Sequence, residues 1–283
     1  MSDTWTIPGA AGEAIFGNTH APAKQPDGAI IIVHGFLGYK DYGLFPALAA
    51  AFARAGWLAH RINLSCSGMT GQSETFARPD LFRRDTWNRQ RIDVQALIDA
   101  IGARRLPGAG LPLALFGHSR GGVTAIRAAA ERFERGLAPA PAGVITVAAP
   151  DTCCSLSEAD RATMLEQGHL EVKSSRTGQT LRLGRAWLQE QLDDPEKHDV
   201  LRAVGEIGCP MLIAHGAADP TVDPAAAHRL AAAAARARLL LIEGADHVMN
   251  TPNPSDAEAP MSRQLSKLVA GCVGFLRSIA SGA

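Results

Sequence analysis

Ser119 stands in "LALFGHSRGGVTA" (113–125), with Gly117 two residues before it and Gly121 two residues after. Glycines on both sides allow a tight, strained turn and leave a hydroxyl exposed on nearly bare backbone. Such a serine is suited to nucleophilic attack. Its hydroxyl is weak, however, until a base takes the proton, and the base needs a carboxylate to orient it. The chemistry implied is acyl transfer, which also needs two hydrogen-bond donors for the developing oxyanion. A dinucleotide loop is the competing reading, and it fails because "GHSRGG" lacks Gly-x-Gly-x-x-Gly spacing.

"FGHSRGG" follows one apolar run and opens an amphipathic one, which is the strand–turn–helix context of a Gly-x-Ser-x-Gly nucleophile elbow. With such an elbow on a doubly wound sheet, the partners follow in the order serine, acid, histidine. That order sets aside His20, His34, His60 and His118, which precede or abut the serine, and His169 and His198 lie in an inserted segment. His215 precedes the well-placed acids after it, and His228 sits in an amphipathic helix. His247, in "EGADHVMN" just past the last expected strand, is the expected base. For the acid, Asp219 in "MLIAHGAADPTVD" lies three residues past a strand end, in a turn set by Gly216 and Pro220. Asp151 in "VAAPD" is its rival, and Asp223 before Pro224 reads as a helix cap. For the oxyanion, "IIVHGFLG" ends a strand at Gly35, and the expected donors are the backbone N–H groups of Phe36 and Arg120.

The elements that must position these groups alternate along the chain. Short, continuous apolar runs at 29–35, 57–63, 113–117, 143–149, 211–216 and 238–244 read as strands covered on both faces. Between them lie helical patterns at 44–55, 88–103, 122–135, 224–237 and 262–280. The rhythm predicts an α/β fold with a doubly wound, mostly parallel sheet. "TWTIPG" and "EAIFGN" add an antiparallel hairpin at its edge. Residues 151–207 break the rhythm with a helix, a hairpin around "SSRTGQ" and a second helix. They are expected to form a small cap inserted after the sixth strand, on a core domain of 1–150 and 208–283. Leu165, Leu170, Leu183, Trp187 and Leu188 are its candidates for lining a pocket.

Composition narrows the function classes. With 283 residues, 46% hydrophobic and 20% charged, a packed core is expected. Lys plus Arg equals Asp plus Glu at 28 each, with no basic stripe, so no nucleic-acid partner is expected. The first thirty residues show no leader pattern, and no apolar stretch reaches membrane-spanning length, so no membrane partner is expected. Five cysteines without metal or disulfide spacing fit a cytoplasmic setting.

"IIIVHGFLG", "GHSRGG", "HGAADPTV" and "IEGADH", in that order, resemble the α/β-hydrolase superfamily over nearly the whole chain. "HGFLGYKDYGLFPALAAAFARAGW", "IAHGAADPTVD" and "IEGADH" are similar to its dienelactone-hydrolase-like and cinnamoyl (feruloyl) esterase branch. Dienelactone hydrolases proper carry a cysteine where this chain has Ser119. Haloalkane dehalogenases and epoxide hydrolases carry an aspartate there. The resemblance implies a serine hydrolase of carboxylic esters, of short-acyl or aryl/hydroxycinnamoyl type, with a Ser119–His247–Asp219 triad. It needs no cofactor and no metal, and its partner is a small-molecule ester. Both monomer and homodimer stay open. A serine peptidase or aminopeptidase would use the same triad with an acidic pocket, for which Glu158, Asp160, Glu166, Glu171 and Glu190 are candidates. A non-catalytic binding protein on this fold would usually have lost a triad member, and none is lost here.

Overall fold

The computed structural model describes residues 2–71, 74–255 and 260–282. The chain opens with β1 (Ser2–Pro8), β2 (Ala14–His20) and β3 (Gly28–Val33), followed by α1 (Leu44–Arg54), β4 (Trp57–Asn63), α2 (Pro79–Arg83) and α3 (Trp87–Gly102). It continues through β5 (Leu113–His118), α4 (Arg120–Glu134) and β6 (Gly143–Val147). After these come α5 (Glu158–Gln167), a two-stranded hairpin of β7 (His169–Lys173) and β8 (Thr180–Gly184), α6 (Ala186–Asp193) and α7 (Val200–Gly205). The last third holds β9 (Met211–Gly216), α8 (Ala225–Ala233), β10 (Ala237–Ile242) and α9 (Arg263–Ala280).

Eight strands form one sheet in the order β1-β2-β4-β3-β5-β6-β9-β10. The β1–β2 and β2–β4 pairs are antiparallel, and every other pair in the sheet is parallel. β3 is apolar throughout, and β5, β6 and β9 nearly so, because each face has its own core. Ile30 and Ile32 of β3, Phe116 of β5 and Leu212 of β9 meet Leu48 and Phe52 of α1 and Leu268 and Leu276 of α9. Ile31 and Val33, one residue out of phase, meet Leu97 and Ile98 of α3 and Val123 and Ile126 of α4 on the other face. Each such buried side chain contributes roughly 1.5–3 kcal/mol.

The strands fall within a few residues of the expected runs, and the edge hairpin forms over 2–20. The helix expected over 224–237 ends at Ala233. Its physical reason is register: β10 must start at Ala237 to pair with Met211, and the Arg236 carbonyl already accepts the Met211 N–H at 2.8 Å. Three short elements carry too few residues for a periodic signal: the 3-10 turn Ala10–Gly12, α2 and α7. The 3-10 turn is held by Asp93 of α3, whose buried carboxylate accepts the Ala10 N–H (2.8 Å), the Ser65 N–H (2.8 Å) and the Ser65 hydroxyl. Among the described residues, no helix is long and apolar enough to cross a membrane.

Candidate active site

Ser119 sits between the last residue of β5 and the first of α4, with φ 54° and ψ −127°. This is a backbone conformation that L-residues rarely adopt, at a place where surrounding structure must hold it. Its N–H donates to the Val147 carbonyl and its own carbonyl accepts from Gly122 N–H, both at 2.8 Å. The flanking glycines are required by close approach. A Cβ on Gly117 would stand 2.1 Å from the Gly121 carbonyl oxygen, and one on Gly121 would stand 2.5 Å from the carbonyl oxygens of Val33 and His34.

The loop after β9 delivers Asp219, whose side chain is fully buried. Its Oδ1 accepts the N–H groups of Thr221 (2.8 Å) and Val222 (3.1 Å). Its Oδ2 lies 2.8 Å from His247 Nδ1 and 3.1 Å from His215 Nε2. Burial alone would push this carboxyl upward. The donors from His215, His247, Val222 and Thr221 outweigh it and hold Asp219 well below the usual carboxylate range. His215 Nε2 also faces the Val222 carbonyl at 3.0 Å, and because both neighbours are acceptors this nitrogen carries the hydrogen.

His247 occupies a tight loop after β10. Asp246 accepts the N–H groups of Val248 (3.0 Å) and Asn250 (2.7 Å), while the Asn250 side chain bonds Asp246 N–H (2.8 Å) and the Gly244 carbonyl (3.0 Å). Buried Ala245 and Met249 anchor the loop to the α1/α9 core. With Nδ1 donating to Asp219, the neutral ring keeps Nε2 as a proton acceptor. The ring of His118 stands 4.9 Å from that of His247, and His118 Nε2 donates to the His247 carbonyl at 2.7 Å. Burial pushes His118 down to about 3, so it is a neutral prop and not a second base.

Ser119 and His247 line one cavity of about 190 Å³, together with residues 35–38, Tyr42, Phe45, His118, Val248 and the hairpin-turn residues Ser174, Ser175 and Arg176. The loop after β3 presses against the serine: a Cβ on Gly35 would meet Ser119 Cβ at 3.0 Å. His34 fixes that loop, with Nδ1 donating to the Gly35 carbonyl (2.8 Å) and Nε2 accepting from Leu64 N–H (3.3 Å). Burial holds His34 neutral, down to about 4. Phe36 is tied down from the other side by the Arg120 guanidinium, which lies 5.2 Å from the Phe36 ring, 4.5 Å from Trp87 and 5.2 Å from Trp187 of α6.

The five residues singled out in the sequence therefore converge on one sheet edge. The rival acid does not: Asp151 turns outward and pairs with Arg229 of α8. The apolar candidates for lining the pocket take instead the packing role that is the readier reading for each of them. Leu183, Trp187 and Leu188 are buried in the α3/α4-side core, because the short hairpin and α6 need their own apolar contacts; Leu165 is exposed and Leu170 packs at that core's edge. His118 and His215, set aside as the base, take supporting places instead, and Arg176 is a contributor that no motif marks. Both histidines stand at or beside strand ends. Among the described residues, no three His, Cys, Asp or Glu side chains converge to hold a metal ion.

Residues 30–260 match the profile of the alpha/beta hydrolase family. The chain belongs to that family. No curated protein matches it by sequence. Among solved structures, the fold is shared with Est1E from Butyrivibrio proteoclasticus at 17% identity and TM-score 0.70, over 98% of this chain and 99% of that one. A second structure of Est1E holds ferulic acid. An esterase domain from a Rhodothermus marinus protein matches at 19% identity and TM-score 0.63, over 99% and 98% of the two chains. A dienelactone hydrolase from Anabaena variabilis matches at 16% identity and TM-score 0.63, over 98% and 97%. At these identities the likeness is one of fold.

Proposed function

We propose that this alpha/beta hydrolase family member cleaves small carboxylic esters through an acyl-enzyme on Ser119. The observation that carries the reading is that Ser119, in its left-handed turn, shares a cavity with a histidine whose far nitrogen is held by a buried carboxylate. In the first half-reaction His247 Nε2 takes the Ser119 proton as the hydroxyl oxygen attacks the ester carbonyl. Asp219 keeps the ring in the right tautomer and stabilises its cation. The backbone N–H groups of Phe36 and Arg120 bind the oxyanion, and His247 returns the proton to the departing alkoxide. Water then repeats the cycle on the acyl-enzyme and releases the acid. No cofactor enters these steps, and residues 151–207 act as a cap whose hairpin turn reaches the cavity.

Est1E and the Rhodothermus domain favour esters among the acyl substrates, with short-acyl and hydroxycinnamoyl esters as the class to assay. The aminopeptidase alternative is weakened by the lining: no carboxylate of the described residues faces the cavity to hold a substrate amine. Of its candidate acids, Glu158, Glu166 and Glu171 are exposed, Asp160 pairs with Ser157, and Glu190 accepts from Asn88 N–H at 3.0 Å.

A fluorophosphonate probe, read out by peptide mass, tests the reading without a chosen substrate. Labelling is expected on Ser119, absent in Ser119→Ala and collapsed in His247→Ala. Turnover of a 4-nitrophenyl ester should drop by about 10⁴- to 10⁶-fold in either variant, and the double variant should be little worse. A label on a different serine, or aminoacyl anilides outrunning every ester, overturns the proposal.

A further inference from the structure

The cavity above Ser119 has one arginine in its wall. Arg176 comes from the turn between β7 and β8, and that turn is fastened to the core: the Gln179 amide accepts the Phe76 N–H (3.0 Å) and donates to the Phe76 carbonyl (3.2 Å). The guanidinium lies 4.4 Å from the Tyr39 ring and 5.2 Å from the Phe76 ring, so its planar group is held by stacking and does not swing freely in solvent.

Its hydrogen bonding is incomplete. One Nη donates to the Glu74 carbonyl, the other points at the Met69 thioether at 3.7 Å, and Nε is buried without a partner. A thioether is a weak acceptor, and five N–H donors are present on the group. Among the described residues no carboxylate lies within ion-pair distance of Arg176, the nearby Glu74 acting on it only through longer-range attraction, whereas the buried Arg61 is paired with Asp41. The remaining side chains around the cavity, apart from its two histidines, are uncharged: glycines, serines, Phe36, Leu37, Tyr42, Phe45 and Val248.

A cation in the same cavity as a nucleophile, with spare donors and, among the described residues, no carboxylate in ion-pair contact, is arranged to receive a charge from outside. We infer that Arg176 is a specificity-determining residue that binds an anionic group, a carboxylate on the acyl part of the ester, and so selects half-esters of short dicarboxylic acids. The size agrees: about 190 Å³ is little more than the ~150 Å³ that takes one benzene ring. Such a space holds a short acyl chain ending at the guanidinium. The inference rests on the ester-hydrolase reading above.

The test compares three ethyl esters of similar acyl length under pH-stat titration. They are monoethyl glutarate, ethyl pentanoate and an ester ending in trimethylammonium. A charge-assisted hydrogen bond implies that the glutarate-to-pentanoate ratio of kcat/KM falls about 10- to 100-fold in Arg176→Gln. Arg176→Lys should retain part of the ratio, because it keeps the charge without the fork. Arg176→Glu should turn the preference toward the trimethylammonium ester. Because each result is a ratio within one protein, partial misfolding of a variant cancels. Equal losses on the charged and neutral esters, or a ratio unchanged by Arg176→Gln, overturn the inference, as does Ser119 labelling by phosphonate in a protein that leaves monoethyl glutarate intact. Absence of both Ser119 labelling and ester turnover would instead remove the ester-hydrolase reading, and this inference with it.

Discussion

The stretches after β6 and after β9 begin alike and end differently. Each leaves a parallel strand at the same sheet edge, passes a pair of alanines and reaches an aspartate beside a proline: "VAAPD" ends in Asp151 and "HGAADP" contains Asp219. The second loop folds back on itself, so Asp219 collects two backbone amides and two imidazoles while its side chain is sealed from water. The first stretch runs on toward α5, and Asp151 meets only Arg229, an exposed arginine half open to solvent. A carboxylate at a strand end becomes an orienting group only where the loop supplies donors that fix both of its oxygens. Gly216 makes that possible here, because any Cβ at this position would collide with the Ala245 carbonyl oxygen at 2.4 Å and push the two loops apart.

The largest effect expected from this contrast is on turnover. Asp219→Asn should lower kcat on a 4-nitrophenyl ester by about 10⁴-fold, since the amide stabilises the wrong histidine tautomer. Asp151→Asn should change it by less than about threefold, in line with the small worth of a solvated ion pair. If the two losses are similar, or reversed, the orienting acid belongs to the stretch after β6.

A smaller separation is expected in acid stability. The folded Asp219 binds its proton more weakly than an unfolded aspartate, which titrates near ~3.9. The unfolded chain thus takes up the extra proton as pH falls, and the stabilisation by Asp219, complete above about pH 5, drains away below it. Urea unfolding followed from pH 6 to pH 3 should show a shallower decline in Asp219→Asn than in the unmodified protein. Asp151 is also held down, by the Arg229 hydrogen bond, but solvent screens that pair and Asp151→Asn should leave the slope nearly as it was. A slope unaffected by Asp219→Asn would show that its donors persist in the unfolded chain or bind no more tightly than water.

The contrast also marks what a sequence can disclose. The turn around Ser119 is visible because its glycines, its strand and its helix are contiguous. His247 is visible because a loop after a strand is a local pattern, and the same holds for both aspartates. Which aspartate turns inward is a matter of loop curvature and the partners it meets, and neither is local. His118 touches the His247 carbonyl across 129 residues of chain. Arg176 reaches the cavity because a hairpin is clamped to Phe76, a pairing across 103 residues. Period-2 patterning locates that hairpin but cannot aim its turn, and it is the polar turn residues Ser174, Ser175 and Arg176 that reach the cavity.

The left-handed backbone at Ser119 has a consequence for stability. Its side chain makes no capping hydrogen bond to α4, so the hydroxyl returns nothing to the fold in exchange for the conformation it occupies. Strain of this kind is on the order of 1–3 kcal/mol, and glycine's greater freedom when unfolded offsets ~0.5–1 kcal/mol of any relief. Ser119→Gly should therefore melt about 2–6 °C higher in calorimetry while losing all turnover. A lower melting temperature would mean that the turn is relaxed as it stands. For this chain durability and the serine pull in opposite directions: on stability alone, glycine would be the favoured residue at 119.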